Sequence, residues 1–423
     1  MIVSVSPAKV SGKVKVPASK SSMQRACAAA LLTPGSTILS GYGDSNDEQA
    51  ALNIITQLGA IVKKAGEELI ITSSEDIFTS FFPDKNLNVH CGESGLSMRM
   101  FAPIAALFNF NITFIGEGSI LTRPMNFFDE HLPPLGVEIT SNQGKLPLTI
   151  KGPLQPKEIT VDGSLSSQFL TGLLFAFAKS CKKPVNIRVR NLQSKPYIDL
   201  TLSVLAHFGF NVTHQNYGIF TISPRNKPIT GSIKYKVEGD WSNAAFLLVA
   251  GAIGGSVTLC GTDLNSSQGD KAIMEALYNC GADVQVNNDE ITITHGELKG
   301  FTFDATHCPD LFPPLVALAV NCQGTTTIQG VHRLTHKESN RAVTLREEFR
   351  KMGADIEYEG DVMTIKGGNS IFGTSVFSHH DHRIAMACAV AALTAEGVTV
   401  IEGAEAINKS YPGFYKDLEA IKN

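Results

Sequence analysis

The sequence has 423 residues, more than a single hydrophobic core usually accommodates, so two or three domains are expected. Charged residues make up 18% and hydrophobic residues 43% of the chain, a balance that favours large buried cores and excludes extensive disorder. A net charge of −4 without a basic tail gives no reason to expect a nucleic-acid partner.

Secretion and membrane insertion are also disfavoured. The first residues lack the apolar stretch of a secretory signal, and glycines interrupt the uncharged segment 244–262, where we expect a buried helix and strand. The eight cysteines include no C-x-x-C pair, which is typical of reduced core residues in a cytoplasmic protein.

The first recognisable element, P-A-S-K-S-S-M-Q-R-A-C-A-A-A-L-L, predicts a helix that a Thr-Pro-Gly turn ends before a strand. Ser19, Ser21 and Ser22 are candidate N-caps. Lys20 and Arg25 lie near the helix start, where free N–H groups already favour an anion. Alone this is an ordinary amphipathic element, and its repetition makes it informative.

Helix, turn and strand recur in this order six times, each strand closing on a small or polar residue. The closing residues are Gly41, Gly116, Asn191, Gly261, Gly330 and Gly403. Spacings near 70 residues mark an internal repeat.

A second signature, a helix ending in a hydrophobic residue and glycine before a short hairpin, occurs five times. Its glycines, predicted to be left-handed at the helix C-termini, are Gly59, Gly136, Gly209, Gly281 and Gly353. Each repeat is therefore predicted to be a βαβαββ unit. The sixth repeat lacks its hairpin, and we expect N-terminal strands at 2–5 and 13–16 to complete it.

This arrangement predicts an α/β chain of two domains with three units each and both termini in one domain. The segment 224–232, PRNKPITGS, has the composition of a linker. We therefore expect one domain at 18–232 and a second formed by 1–17 and 233–423.

Polar and basic residues stand at the starts of the first helices of the repeats. They are Lys20 and Arg25, Glu93 to Arg99, Ser164 to Gln168, Asp240 to Asn243, Pro309 and Asp310, and Asp381 to Arg383. Equivalent ends of equivalent helices point in related directions, so we expect them to converge on one cleft for small anions with phosphate or carboxylate groups. For Ser242 and Asn243, capping is the preferred interpretation.

The loops add cations and two acids to this set. Lys337 and Arg341 have the i,i+4 spacing of one helix face, for which an ordinary solvated face is an equal alternative. Asp310 and Glu338 are carboxylates among cations, which indicates acid–base work.

The run H-H-D-H-R at 379–383 has the composition of a metal cluster. Neighbouring residues at a turn rarely bind one ion together, however, and no cysteine or carboxylate stands at metal-ligand spacing. An anion contact by Arg383, with His382 beside it, is the preferred interpretation.

In this order the motifs resemble the 5-enolpyruvylshikimate-3-phosphate synthase family of enolpyruvyl transferases over nearly the whole chain. They are K-S-x-x-x-R at 20–25, G-x-x-x-R at 95–99, R-P at 123–124, S-S-Q-F at 166–169, S-K-P-Y at 194–197, P-D at 309–310, K-E-S-x-R at 337–341, D-H-R at 381–383 and the segment around Lys409. The resemblance implies two domains that close on substrate, each with helices packed inside sheets. It also implies transfer of the enolpyruvyl group of phosphoenolpyruvate to the 5-hydroxyl of shikimate 3-phosphate, with release of phosphate.

By matching position, the resemblance implies a role for each site residue. Asp310 would accept the 5-hydroxyl proton, Glu338 would help to protonate the methylene carbon, and Lys20 would contact both substrates as a third catalytic residue. Shikimate 3-phosphate would be held by Lys20, Ser21, Arg25, Ser166, Ser167, Ser194, Tyr197, Asp310 and Lys337. Phosphoenolpyruvate would be held by Lys20, Gly95, Arg123, Gln168, Arg341, His382, Arg383 and Lys409. No metal or cofactor is implied, and we expect a cytoplasmic monomer with small-molecule substrates and no nucleic-acid or membrane partner.

The sequence departs from the family pattern at a few positions. Leu96 stands where the family usually has Thr, Arg333 where Asn is common, and His379-His380 where Tyr-Asn is usual. These changes affect the expected packing near Gly95 and leave the role of Arg333 open.

Two other functions remain as alternatives. The sister enzyme, which transfers enolpyruvyl to UDP-N-acetylglucosamine, commonly has a loop cysteine in the second unit, and here no cysteine occurs between Cys91 and Cys181. A non-catalytic anion-binding protein on the same repeat would gain nothing from Asp310 and Glu338.

Overall fold

The computed structural model describes residues 1–79, 86–225 and 231–423, and the chain divides into two compact units of mixed α/β structure. We call Ala18–Val237 the continuous unit. We call Met1–Pro17 with Glu238–Asn423 the split unit, because both ends of the chain contribute to it.

Within the described ranges the strands are three to six residues long. They are β1 Ile2–Val5, β2 Val10–Lys15, β3 Gly35–Ser40, β4 Ile61–Ala65, β5 Glu68–Ser73, β6 Asn86–His90, β7 Asn111–Ile115, β8 Glu138–Ser141, β9 Leu148–Lys151, β10 Ile159–Asp162, β11 Val185–Arg190, β12 Asn211–Gln215, β13 Ile219–Ser223, β14 Ile233–Lys236, β15 Gly255–Cys260, β16 Asp283–Asn287, β17 Glu290–Thr294, β18 Thr302–Asp304, β19 Gly324–Gln329, β20 Asp355–Glu359, β21 Val362–Gly367, β22 Ser375–Phe377 and β23 Thr399–Glu402.

The α-helices alternate with these strands. They are α1 Lys20–Leu32, α2 Asn46–Gln57, α3 Asp76–Thr79, α4 Gly95–Ala105, α5 Asn126–His131, α6 Ser167–Ser180, α7 Lys195–His207, α8 Trp241–Gly254, α9 Ile273–Cys280, α10 Phe312–Ala319, α11 Arg341–Lys351, α12 His382–Ala391 and α13 Phe414–Ala420.

One strand order recurs in the sheets of both units. The continuous unit has β14-β3-β5-β4, β6-β7-β9-β8 and β10-β11-β13-β12, and the split unit has β2-β15-β17-β16, β18-β19-β21-β20 and the three-stranded β22-β23-β1. In the four-stranded sheets the leading strand is parallel to the second, and the hairpin strands are antiparallel. The predicted βαβαββ repeat is thus confirmed.

β14 lies in another domain, and β2 in another sheet, than the sequence suggested. β14 pairs with β3, from Ile233 opposite Thr37 to Lys236 opposite Ser40, so the continuous unit ends at 237 rather than at the predicted 232. The predicted linker 224–232 includes residues 226–230, which lie outside the described residues.

The two N-terminal strands, β1 and β2, lie in different sheets. β1 pairs with β23 of the sixth repeat, whereas β2 pairs in parallel with β15 and leads the sheet of the fourth repeat. The expectation that both strands complete the sixth repeat is therefore wrong for β2.

The first helix of each repeat lies inside its unit. α1, α4 and α6 pack on one another in the continuous unit, and α8, α10 and α12 do so in the split unit. These helices are buried on nearly all sides; α8, for example, is buried at every position from 241 to 253. Such helices need cover on every side, which the sheets supply. Each unit has its own hydrophobic core.

The second helices follow the predicted pattern of one buried face and a glycine stop. α9 buries Ile273, Ala276, Leu277 and Cys280 on one side. All five predicted glycines have a positive φ, between +72° and +108°. The turn chemistry at the helix ends was thus predictable from the sequence.

Across the described ranges, no helix has the length and apolar character needed to cross a membrane. The uncharged segment 244–262 is part of buried α8 and of β15, as predicted. All eight cysteines are free, and seven of them are buried.

Candidate active site

Side chains cap the first helices of five repeats. The caps Ser19, Ser94, Ser166, Asp240 and Asp381 accept hydrogen bonds from backbone N–H groups two or three residues further along. In the remaining repeat a 3-10 turn, Pro309–Leu311, precedes α10 and carries Asp310. The six helix starts therefore resemble one another in form but differ in the charge that they present.

The start of α8 departs from the predicted pattern. Its cap is Asp240, so the preferred interpretation of Ser242 and Asn243 as caps is wrong. Ser242 instead donates a hydrogen bond to the buried carboxylate of Asp270. The carboxylates of Asp240 and Asp270 already accept hydrogen bonds at this helix start, which makes it unsuitable for a further anion.

Asp310 lies at the centre of a cluster of cations in the split unit. Its Oδ1 is 3.0 Å from Lys337 Nζ and 2.7 Å from Arg341 Nη1, and its Oδ2 is 3.2 Å from Arg383 Nη2. The Asp310 side chain is 25% exposed, whereas Arg341 and Arg383 are buried. Three of the predicted anion-binding cations therefore converge on one carboxylate that is still accessible.

Arg341 joins the acids of this cluster. Besides Asp310, its guanidinium contacts Glu338 Oε2 at 2.7 Å through Nη2 and Asp381 Oδ2 at 2.8 Å through Nε. The predicted helix face with Lys337 and Arg341 is wrong, because α11 begins at Arg341 and Lys337 reaches Asp310 from the turn before it.

Charge, more than burial, sets the protonation of Asp310. Burial alone would raise the pKa of Asp310, but the cations of Arg383, Lys337 and Arg341 hold that pKa well below its usual range. Burial also lowers the pKa of Lys337, and Asp310 partly opposes that shift. Asp310 is therefore ionised at neutral pH and able to accept a proton, although it is a weak base while these cations contact it.

Arg383 has hydrogen-bonding capacity left for a ligand. Its side chain is 2% exposed, and its Nε and Nη1 atoms have no hydrogen-bond partner among the described residues. Buried N–H groups without an acceptor are costly, so an anion that supplied acceptors would bind favourably. The predicted neighbour His382 is also buried, with Nδ1 3.7 Å from Asp381 Oδ1.

In the continuous unit, Gly95, Arg123 and Gln168 meet at the start of α4. A β-carbon on Gly95 would lie 2.7 Å from Arg123 Nη1 and 3.8 Å from Gln168 Oε1. Arg99, which the sequence motif contains without a predicted role, donates a hydrogen bond to Gln168 Oε1 at 3.0 Å. Glycine at position 95 thus leaves room for a guanidinium group at the helix start.

A second group in the continuous unit lies at the starts of α1 and α7. Lys20 Nζ is 2.8 Å from Oδ2 of the buried Asp47. Arg25 is also buried and donates to the carbonyl oxygens of Ser21 at 2.8 Å and Tyr197 at 3.2 Å. Arg25 therefore brings the predicted residues of two repeats together.

The other predicted residues stand at helix starts or next to them. Ser166 caps α6, Ser167 is its first residue, and the buried Ser194 precedes α7 with a φ of +53°. Lys409 is buried in the split unit, and the next residue, Ser410, accepts a hydrogen bond through its carbonyl from Asn243 of α8. Every predicted site residue thus lies in the described part of the chain.

Two acids that hold predicted cations were not predicted from the sequence. Asp381 appeared only as part of a motif, although its place before an apolar helix is a cap signal. Asp47 pairs with Lys20 across 27 positions, and no local pattern links them.

The described residues bring together one set with the ligand spacing of a metal site, Glu347, Glu348 and His379. It shares His379 with the run at 379–383 and adds two carboxylates of α11, which the sequence spacing did not indicate. Both oxygens of Glu348 already accept hydrogen bonds within the protein, so this set is poorly suited to a metal ion.

Comparison with known proteins points to one family. The family model for EPSP synthase (3-phosphoshikimate 1-carboxyvinyltransferase) matches residues 5–418. The chain is 37% identical over 420 residues to the 3-phosphoshikimate 1-carboxyvinyltransferase of Clostridium kluyveri, which covers 99% of this chain and 97% of that protein. It is 36% identical over 422 residues to the protein of the same name from Clostridioides difficile, covering 98% and 96%.

Solved structures agree with this result. An EPSP synthase from Acinetobacter baumannii superposes with a TM-score of 0.82 at 26% identity, covering 100% of this chain and 98% of that chain. The enolpyruvyl transferase NikO from Streptomyces tendae has a TM-score of 0.76 at 16% identity, covering 99% and 97%, a likeness of fold alone.

Proposed function

The chain belongs to the EPSP synthase family, and from that premise we propose that it transfers the enolpyruvyl group of phosphoenolpyruvate to the 5-hydroxyl of shikimate 3-phosphate, releasing phosphate. This is the activity of a 3-phosphoshikimate 1-carboxyvinyltransferase, a transferase of the shikimate pathway and of aromatic amino-acid biosynthesis. Of the alternatives, neither transfer to UDP-N-acetylglucosamine nor non-catalytic anion binding is favoured by the relatives' names.

The observation that carries the proposal is the placement of Asp310 and Glu338 on one guanidinium, that of Arg341. Addition followed by elimination moves one proton from a hydroxyl and another onto carbon and off again, which requires two acid–base groups. Cations that only bound anions would gain nothing from carboxylates among them. The cluster has the composition of a proton-transfer site for anionic substrates.

In the proposed mechanism, Asp310 accepts the 5-hydroxyl proton as the hydroxyl oxygen attacks C2 of phosphoenolpyruvate. Glu338 helps to deliver a proton to the methylene carbon, which becomes a methyl group in a tetrahedral intermediate. In the elimination, the ionised Glu338 takes a proton back from that methyl group, the carbon–oxygen bond to phosphate breaks, and phosphate leaves. When substrate is bound, its anionic groups offset the positive charges of Lys337, Arg341 and Arg383. Because these charges then act less on Asp310, Asp310 becomes a stronger base.

We assign the remaining residues by substrate. Shikimate 3-phosphate is held by Lys20, Ser21, Arg25, Ser166, Ser167, Ser194, Tyr197, Asp310 and Lys337, and phosphoenolpyruvate by Lys20, Gly95, Arg123, Gln168, Arg341, His382, Arg383 and Lys409. The N–H groups of Arg383 that lack a partner among the described residues and the room at Gly95 support the second set. The eight free cysteines support a cytoplasmic location, and a monomeric state stays a prediction.

Phosphate release tests the assignment. With phosphoenolpyruvate as donor, we expect release that depends on shikimate 3-phosphate and that does not occur with UDP-N-acetylglucosamine or without an acceptor. Release with UDP-N-acetylglucosamine would assign the chain to the sister activity. Absence of release with either acceptor would favour anion binding without catalysis.

A further inference from the structure

The turn that leads into α12 has an unusual backbone. His379 and His380 both have left-handed φ angles, +52° and +56°. Residues other than glycine are uncommon in this region, and two in succession persist only where surrounding contacts enforce the conformation. The next residue is Asp381, the cap of α12, and Arg383 follows two positions later.

Glu348 supplies contacts that enforce this turn. Its side chain is 1% exposed, and it accepts hydrogen bonds from the backbone N–H of Phe377 at 2.9 Å and from His379 Nε2 at 2.7 Å. Lys351 Nζ contacts both of its oxygens. Burial alone would raise the pKa of Glu348, but these donors lower it below its ordinary value.

One helix therefore holds the turn at two points. α11 carries Arg341 at its first residue and Glu348 seven positions later, a spacing of about two helical turns that places both on one face. Arg341 binds Asp381, while Glu348 binds Phe377 and His379, which come just before Asp381 in the chain. The position of Arg383 relative to Arg341 and Asp310 thus depends on both contacts.

We infer that Glu348 and His379 are positioning residues, which hold the turn before α12 so that Asp381 and Arg383 meet Arg341 and Asp310. The inference rests on the proposed function, since it assigns Arg341 and Arg383 to phosphoenolpyruvate. Neither residue is expected to touch substrate. A metal ion at Glu347, Glu348 and His379 would have to displace the hydrogen bonds that hold the turn.

The test compares Glu348→Gln with Glu347→Gln, a change at the exposed neighbouring position of the same helix. We expect Glu348→Gln to raise KM for phosphoenolpyruvate about tenfold, the loss expected from weakening one charge-assisted hydrogen bond. kcat and KM for shikimate 3-phosphate should change little, and Glu347→Gln should match the wild type. A lower Tm with unchanged KM values would make Glu348 a purely structural residue and overturn the inference.

His379 provides a second route if Glu348→Gln folds poorly. His379→Gln keeps a donor for Glu348 and should remain near the wild type, whereas His379→Ala should raise KM for phosphoenolpyruvate as Glu348→Gln does. Equal KM values in the two variants would contradict the inference. So would a rise in Tm on adding Zn²⁺ that Glu347→Gln abolishes, because the three residues would then form a metal site.

Binding without catalysis separates this inference from the proposed function. The thermal shift caused by phosphoenolpyruvate, or by inorganic phosphate as a simpler probe, is measured for each variant. A shift that Glu348→Gln weakens supports the positioning role even if no transfer to shikimate 3-phosphate occurs. An active wild type whose affinity for phosphoenolpyruvate is unaffected by Glu348→Gln keeps the function and rejects the positioning role.

Discussion

Asp310 shows that ion pairs can decide the charge of a site carboxylate against the effect of burial. Lys337, Arg341 and Arg383 contact its two oxygens, and their charge keeps its pKa well below the usual range. The ionised carboxylate therefore stabilises the fold of the split unit as well as serving the proposed chemistry.

The stability of the protein in acid should depend on Asp310. Since its pKa is lower in the folded than in the unfolded state, its contribution is complete above the unfolded value of about 3.9 and is lost as pH falls through the folded value. We expect the Tm of the wild type to exceed that of Asp310→Asn at neutral pH, and the difference to shrink below about pH 4. Thermal unfolding followed across this range measures it. A Tm difference that did not change with pH would mean that these cations do not hold Asp310 ionised.

Among single residues, those in local motifs were predictable from the sequence and their distant partners were not. Asp310 and Arg383 stood out because they are charged residues at predicted helix starts, and Arg341 stood out as a cation of a loop motif beside Glu338. Asp47 did not, because the fold alone places it beside Lys20. Lys337 was predicted on a helix from i,i+4 spacing, but α11 begins four residues later and Lys337 reaches Asp310 from a turn.

At the scale of elements, the repeats were predictable because each has its own hydrophobic period and glycine stop. The pairing of the strands next to the unit boundary was not. β2 and β14 each lead a sheet whose other strands lie far away in sequence, and their short alternating patterns fit more than one sheet. The strand that each of them pairs with is therefore set by the fold of the whole unit and not by the local sequence.

The place of β14 can be tested with two fragments of the continuous unit. A chain of residues 18–237 keeps the leading strand of the first sheet, whereas 18–232, the domain predicted from the sequence, leaves the edge of β3 unpaired. We expect 18–237 to unfold in one cooperative transition, with a Tm higher than that of 18–232 by about 5 °C or more. Thermal unfolding followed by circular dichroism decides this. Equal Tm values would show that β14 contributes nothing to the unit.

At the scale of the whole molecule, the same repeat builds two units that carry different charged side chains at their helix starts. In the proposed assignment the continuous unit contributes Lys20, Arg25 and Arg123, and the split unit contributes Asp310 and Glu338 together with its cations. Each unit has its own core, so the proposed division of roles follows the division of the fold. The expectation that the helix starts share one cleft stays a prediction.

The proposed reaction depends most on Asp310 and Glu338, its proton-transfer pair. The direct measurement is phosphate release from phosphoenolpyruvate and shikimate 3-phosphate by Asp310→Asn and Glu338→Gln. The control is Asp361→Asn, which removes an acid paired with His332 at the surface of the split unit. We predict that each of the first two variants turns over at least about 100-fold more slowly while it still binds phosphoenolpyruvate, and that the control keeps wild-type turnover. Wild-type phosphate release by Asp310→Asn or Glu338→Gln would contradict the proposed mechanism.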